Sequence, residues 1–327
     1  MAMHSSHVEV EPAPGQVRCL AADQFYRMSF VEWRPELASA ADRSESTVFA
    51  VHGLTRNGRD FDALAKHLSS HGRRVICPDV VGRGQSEWLH SKSLYQLPTY
   101  ASAMASLHAA TCATDEQVDW VGTSMGGVIG LVLASLPGSP VRRLVLNDVG
   151  PLVSKEGLSR LGQYCGKEGS FGSLVDVEVY LRSIYKPFGD LSDAQWAHLA
   201  KHTCRLANEV EAATARGSST DGSAQPRYVM RYDPGIAQCF QGAVQDVDLW
   251  AMWERVRCPV LVIRGEFSDV LSRETVEEMR HRRPDDAGSF ELYEVKGVGH
   301  APSLMAPEHF EAIERFLKQT DCITHEQ

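Results

Sequence analysis

Gln117-Val118-Asp119-Trp120-Val121-Gly122-Thr123-Ser124-Met125-Gly126-Gly127-Val128-Ile129-Gly130-Leu131-Val132-Leu133-Ala134 is the stretch from which the rest of the chain can be read. Gln117 to Val121 is strand-like, and Gly127 to Ala134 reads as a buried helix. Between them, Gly122 to Gly126 forms a G-x-S-x-G sequence. A serine on a sharp strand-to-helix turn has its hydroxyl pushed up and out of the sheet. The flanking glycines are needed because side chains there would collide with the neighbouring strand and helix. The turn also leaves the first helical N–H groups unpaired and aimed at where an anion would form. Ser124 is the expected nucleophile. A strand, a turn and a helix with glycines can also be mere packing, so the weight falls on its partners.

The 327 residues can bury a sizeable core, with room for one large domain plus an insertion. A hydrophobic content of 43% and a charged content of 23% place the chain among ordinary globular proteins. The formal net charge of −9 argues against a nucleic-acid partner, whose phosphates would demand a basic face. No apolar run reaches the ~20 residues needed to span a bilayer. Met1 to Pro14 has no basic segment followed by an apolar core, so it does not resemble a secretory signal. The expectation is a soluble cytoplasmic protein with no membrane partner and a frayed tail over residues 1–15. Of the eight cysteines none forms a C-x-x-C pair, so neither a zinc knuckle nor a thioredoxin-like site is indicated.

Short apolar runs alternate with longer helical ones. Val17 to Ala21 and Tyr26 to Trp33 read as a strand pair, and Thr47 to Val51 as a β-branched strand ending at His52-Gly53. A helix through Phe61, Leu64 and Leu68, a strand at Val75 to Cys77, a helix near Tyr100 to Cys112 and a strand at Val141 to Asn147 continue the rhythm. Strand and helix in this order mean an α/β fold, a doubly wound and mostly parallel sheet with helices on both faces. From about Pro151 to Trp253 helix-like segments follow one another without buried strands, and Arg216 to Ser223 is a loop by composition. The sheet resumes at Cys258 to Ile263, then a helix (Arg273 to Arg282), a strand (Phe290 to Val295) and a last helix (Pro307 to Lys318). The reading is a core over residues 16–150 and 257–320, with a helical insertion over 151–256.

A serine hydroxyl is a poor nucleophile until a base takes its proton. Among thirteen histidines, His300 has the right setting: Gly297-Val298-Gly299-His300 follows the last strand, at the carboxyl edge where open sheets place ligands. The histidine needs a carboxylate to hold its tautomer. Asp269, beyond the strand Val260 to Ile263, is the expected partner, with Glu266 in the same loop and Asp148 after the preceding strand as competitors. His52-Gly53-Leu54-Thr55 follows a strand directly, and the backbone N–H groups of Leu54 and Met125 are the expected oxyanion donors. His52 itself is read as structural, hydrogen-bonding backbone within the loop.

Taken together, the chain resembles the α/β-hydrolase fold superfamily, in its capped bacterial serine esterase-like form. The matching pieces are His52-Gly53-Leu54, Pro78-Asp79-Val80-Val81-Gly82-Arg83-Gly84-Gln85-Ser86, Gly122 to Gly127, Asp269, and Gly297 to His300, in that order. The resemblance spans Thr47 to Lys318 and puts the inserted helices in the place of a lid. Between Gly265 and Asp269 lie three residues, where many relatives have two. Relatives that open epoxides or cleave carbon–halogen bonds put an aspartate at the position of Ser124, so serine chemistry is implied.

What the resemblance implies is acyl transfer to water, with no cofactor and no metal. His67 and His71, four apart on a helix, lack the glutamate of a zinc protease and read as a surface pair. Candidate substrate-binding residues are Arg56, Asn57, Trp88 and Trp250; Arg56 could clamp a carboxylate, though pairing with Asp60 is the simpler role. The leading function is hydrolysis of a carboxylic ester, or lactone, of a small to medium substrate. The alternatives are carbon–carbon bond hydrolysis of a ring-fission diketone and a ligand-sensing, non-enzymatic module. Oligomeric state is not readable.

Overall fold

The chain enters the sheet at one edge and leaves it at the other. In this computed structural model, described over residues 11–35, 46–167, 169–207, 227–240 and 245–319, eight strands share one sheet. They are β1 (Ala13–Ala21), β2 (Gln24–Trp33), β3 (Thr47–Val51), β4 (Val75–Pro78), β5 (Val118–Thr123), β6 (Val141–Asn147), β7 (Val260–Gly265) and β8 (Phe290–Val295). Their spatial order is β1-β2-β4-β3-β5-β6-β7-β8. β1 and β2 pair antiparallel, as do β2 and β4, and every later pairing is parallel.

The central strands are apolar on both faces, which is what a sheet covered by helices on each side requires. Along β3, Phe49 and Val51 enter one core, and Val48 and Ala50 enter the other. β7 repeats the pattern, with Val260 and Val262 on the first face and Leu261 and Ile263 on the second. The second face is covered by α1 (Asp62–Ser70) through Leu64 and Leu68 and by the last helix, α8 (Pro307–Lys318), through Ile313 and Phe316. The first face carries α2 (Leu97–Thr111), α3 (Met125–Ala134) and α7 (Arg273–His281). α2 starts three residues before the expected Tyr100, because Pro98 fits the first turn of a helix, where its missing N–H costs nothing.

Between β6 and β7 the chain leaves the sheet. Leu152–Val153 pairs antiparallel with Val247–Asp248, so the segment departs and returns through one two-stranded stem. Beyond the stem lie α4 (Lys155–Gly162), α5 (Leu174–Ile184) and α6 (Asp193–Thr203). This segment also contains a small sheet of Ser170–Phe171, Tyr228–Met230 and Cys204–Leu206, which the sequence reading did not anticipate. Strands of two or three residues carry too little periodicity to register. β1 begins at Ala13, inside the expected tail. The rest of that tail to residue 10, and the loop from Arg216 to Ser223, lie outside the described residues.

Gly126 shows how tightly the layers meet. A β-carbon on it would sit 2.0 Å from the Val51 carbonyl oxygen, and one on Gly122 would sit 2.4 Å from the Gly126 backbone. The obstacle is backbone, which cannot swing aside. Gly126→Ala is therefore expected to lose about 3 kcal/mol or more of unfolding free energy, read by urea denaturation. A loss under about 1 kcal/mol would mean that α3 can shift away from β3.

Candidate active site

Ser124 sits between β5 and α3 with φ 51° and ψ −115°, a left-handed conformation that a residue with a β-carbon adopts only under constraint. Its N–H is tied to the Asn147 carbonyl (2.9 Å), while its carbonyl accepts the N–H groups of Gly127 and Val128 at 2.8 and 3.0 Å. The hydroxyl is thereby held above the sheet. His300 Nε2 lies 3.0 Å from Ser124 Oγ, and His300 Nδ1 lies 2.8 Å from Asp148 Oδ2. Serine, imidazole and carboxylate form one continuous chain.

The carboxylate is not the one expected. Asp269 is exposed and gripped by Arg160, whose Nη2 donates to Oδ1 at 2.9 Å and whose Nε binds the other oxygen. Its predecessor, Ser268, faces the site instead and donates its hydroxyl to Asp148 Oδ2 at 2.7 Å. The extra residue after Gly265 has turned the aspartate out and a serine in. Glu266 accepts the Gly297 N–H at 2.9 Å, clear of the imidazole. Asp148, fully buried and at φ 58°, also accepts the Gly265 N–H on Oδ1 at 2.8 Å. Its own N–H binds the Ile263 carbonyl, which pins it between β6 and β7. Three donors on one buried carboxylate fix its orientation toward the imidazole.

The two N–H groups expected from the sequence to meet an oxyanion are placed by separate means. Met125 is the first residue of α3, so its N–H has no partner in the preceding turn. The Leu54 N–H shares a peptide plane with the Gly53 carbonyl, and fixing one aims the other. That carbonyl accepts from His52 Nδ1 at 2.7 Å and from the Arg56 N–H at 3.1 Å. His52 Nε2 in turn accepts the Val80 N–H at 2.9 Å. The ring must therefore be the neutral Nδ1–H tautomer, and burial lowers its pKa to about 4.

Residues 46–162 match the family model for the alpha/beta hydrolase fold. A 3-hydroxybutyrate-oligomer hydrolase of Cupriavidus necator is 38% identical, over 95% of this chain and 99% of that protein. The chain belongs to the α/β-hydrolase fold family. A 2-(acetamidomethylene)succinate hydrolase of Mesorhizobium japonicum is 26% identical over 91% of this chain and 97% of that protein. The solved structure of an alpha/beta hydrolase from Novosphingobium aromaticivorans is similar with a TM-score of 0.76 at 31% identity, covering 95% of this chain and all of that one.

In this α/β-hydrolase the serine opens onto a cavity of about 620 Å³, within the range of small-molecule sites. Tyr95, Tyr100 and Leu54 line it from the core, and Leu161, Phe240 and Gln245 from the inserted segment. The four residues expected to bind substrate are not among its walls. Arg56 is buried and locked to Asp60 by two hydrogen bonds (2.7 and 2.6 Å), its guanidinium over the Tyr185 ring. Asn57 caps a turn by accepting the Arg59 N–H and donates to the His202 carbonyl. Trp88 lies under Arg205, and Trp250 under Arg282. Arg56, Asn57 and Trp88 were expected from their nearness to the motif loops and Trp250 from its place in the inserted segment, whereas the cavity is made by segments that meet only after folding. Tyr95 and Phe240 carry no motif that would have flagged them.

Among the described residues two groups could offer metal donors: Asp62 with His198 and His202, and the His67–His71 pair with Glu314. In each the carboxylate already holds a cation, Arg59 at 2.6 Å in the first and Lys318 at 2.5 Å in the second. Burial and neighbouring positive charges lower His202 to about 3, so its surroundings repel further cations. His67 and His71 lie at the α1–α8 surface, remote from Ser124 in the layering.

His52 gives the site a pH signature. Its folded pKa of about 4 lies below the 6.5 of an unfolded histidine, so acidification protonates the unfolded chain first. Its contribution is intact above pH 6.5 and is lost as the pH falls from 6.5 to 4. Asp79, raised to about 6 by burial, has the opposite slope between about 6 and 3.8, so a variant is needed to isolate His52. The stability difference between wild type and His52→Gln is expected to narrow by about 2 kcal/mol from pH 7 to pH 5, read by urea unfolding. A difference constant with pH would contradict the neutral buried ring.

Proposed function

We propose that the protein is a serine hydrolase of carboxylic esters, acting through an acyl-enzyme. The observation that carries this reading is the hydrogen-bonded chain Ser124–His300–Asp148, whose serine lines the cavity. Ser124 Oγ attacks the ester carbonyl carbon while His300 Nε2 takes its proton, and Asp148 steadies the imidazolium through Nδ1–H. The N–H groups of Leu54 and Met125 hold the oxyanion. The alcohol leaves with the proton from His300. Water then attacks the acyl-enzyme, giving a proton to His300 that returns to Ser124 Oγ as the acid departs. No step calls for a metal or cofactor.

The cavity narrows the substrate. Its walls among the described residues include tyrosines, glutamines and apolar groups but no lysine, arginine, aspartate or glutamate. A charged acyl chain would enter without a counter-ion, which is costly. A neutral hydroxyacyl chain fits better, its hydroxyl within reach of amide and phenol groups. We therefore take the substrate to be a short hydroxyalkanoate ester, of the kind named for the Cupriavidus necator relative, with any free carboxylate on the leaving side, in solvent. The segment from Pro151 to Leu249 acts as the lid, since Leu161, Phe240 and Gln245 form the cavity's outer wall.

Three variants test the reading on a dimer and a trimer of 3-hydroxybutyrate. Ser124→Ala is expected to remove turnover. Asp148→Asn should lower kcat by about 10⁴-fold, because the amide favours the wrong tautomer. Asp269→Asn, which only loosens the Arg160 pair, should stay within a few-fold of wild type. The reverse ranking of the two aspartates would overturn the triad. Free and methyl-capped oligomers should be cleaved at similar rates, and a strong need for the free carboxylate would contradict the neutral acyl pocket.

A further inference from the structure

Arg83 is a fully buried cation that the triad does not use. Among the described residues it has no carboxylate partner. Burying an unpaired guanidinium is costly, and such a group persists where something else requires it. The loop around it is built to hold it inward. Gly82 and Gly84 have φ of +81° and +56°, and a β-carbon on Gly84 would meet the Asp79 carboxylate at 2.1 Å. That carboxylate binds the Gly58 and Gln85 N–H groups at 2.8 and 2.7 Å, closing the loop beneath the arginine.

The guanidinium's contacts converge on the oxyanion site. Nε donates to the Leu54 carbonyl at 2.9 Å, and Nη2 reaches Met125 Sδ at 3.6 Å. Nη1 donates to the Val81 carbonyl and to the Tyr100 hydroxyl, at 2.8 and 3.0 Å. The rings of Tyr95 and Tyr100 flank it, with centroids 5.6 and 5.0 Å away. Leu54 and Met125 come from different strands' loops, yet they are the two residues assigned to hold the oxyanion. One planar fork ties both.

We propose that Arg83 is a positioning residue for the oxyanion hole, joining its two halves and placing a positive charge behind them. This rests on the ester-hydrolase reading above. The charge lacks an anionic partner among the described residues and gains one when the carbonyl oxygen becomes an oxyanion. Such a group favours the transition state over the bound substrate. Lysine cannot replace it, since a single ammonium cannot span both Leu54 and Met125.

The test compares Arg83→Met and Arg83→Lys with wild type and Ser124→Ala. The readouts are kcat, KM and the inhibition constant of an alkyl boronic acid, whose serine adduct mimics the tetrahedral anion. Arg83→Met is expected to lower kcat about 10²-fold and weaken the boronate in parallel, with KM within about threefold. Arg83→Lys should fall between. A folded Arg83→Met enzyme with wild-type kcat and boronate affinity would overturn the proposal. Equal weakening of KM and boronate would also do so, since that is what general loosening of the cavity gives. If Arg83→Met does not fold by circular dichroism, Arg83→Lys decides alone. More than tenfold selective loss of boronate affinity supports the role, and wild-type affinity removes it. Activity in Ser124→Ala would instead strike at the esterase reading itself.

Discussion

The close approach of α3 to β3 is the constraint on which the site depends. Gly126 has no room for a β-carbon against Val51, and Gly122 has none against Gly126. Only with both glycines can the chain turn sharply enough to hold Ser124 at positive φ. The same turn leaves the Met125 N–H at the open first turn of α3, next to Ser124. A looser packing would lower the serine, rotate the amide and separate the imidazole from both. Backbone strain at Ser124 is sustained by the surrounding layers together with the hydrogen bonds of its own N–H and carbonyl.

A second layer of buried polar groups carries the geometry outward from the turn. His52 aims the Leu54 N–H by holding the Gly53 carbonyl, and it can do so only as a neutral ring. Asp148 joins β6 and β7 and presents one oxygen to His300. Arg83 grips the Leu54 carbonyl from the opposite side. None of these groups is exposed, so their hydrogen bonds act in a low-dielectric setting where alignment counts most. Buried polarity also occurs elsewhere, as in the Arg73–Asp119 pair, but around Ser124 it is gathered into one connected set.

Much of this was legible in the sequence, and the exceptions have physical causes. The core strands and helices announce themselves because long apolar periods survive any loop variation; Thr47 to Val51 and Phe290 to Val295 have the bounds read from sequence. Ser124 and His300 stand in local motifs whose glycines encode backbone shape. Asp148 does not. An aspartate after a strand looks alike at β6 and at β7, and only the register of the following loop decides which one meets the imidazole. The three residues between Gly265 and Asp269 were the visible sign, and Ser268 filling the inner position is their consequence. For Arg56 the sequence left two roles open, a carboxylate clamp and a pair with Asp60, and its side chain turns to Asp60. The cavity wall, with Tyr95 and Phe240 far apart in sequence, follows from tertiary packing alone.

The central claim is that Ser124 carries the acyl group during turnover. Acid quenching during hydrolysis of an activated 3-hydroxybutyryl ester, followed by peptide mass mapping, tests it most directly. The account expects a single hydroxybutyryl adduct on the peptide bearing Ser124, absent in Ser124→Ala. Turnover with no adduct on that peptide, or with the adduct on another residue, would contradict it.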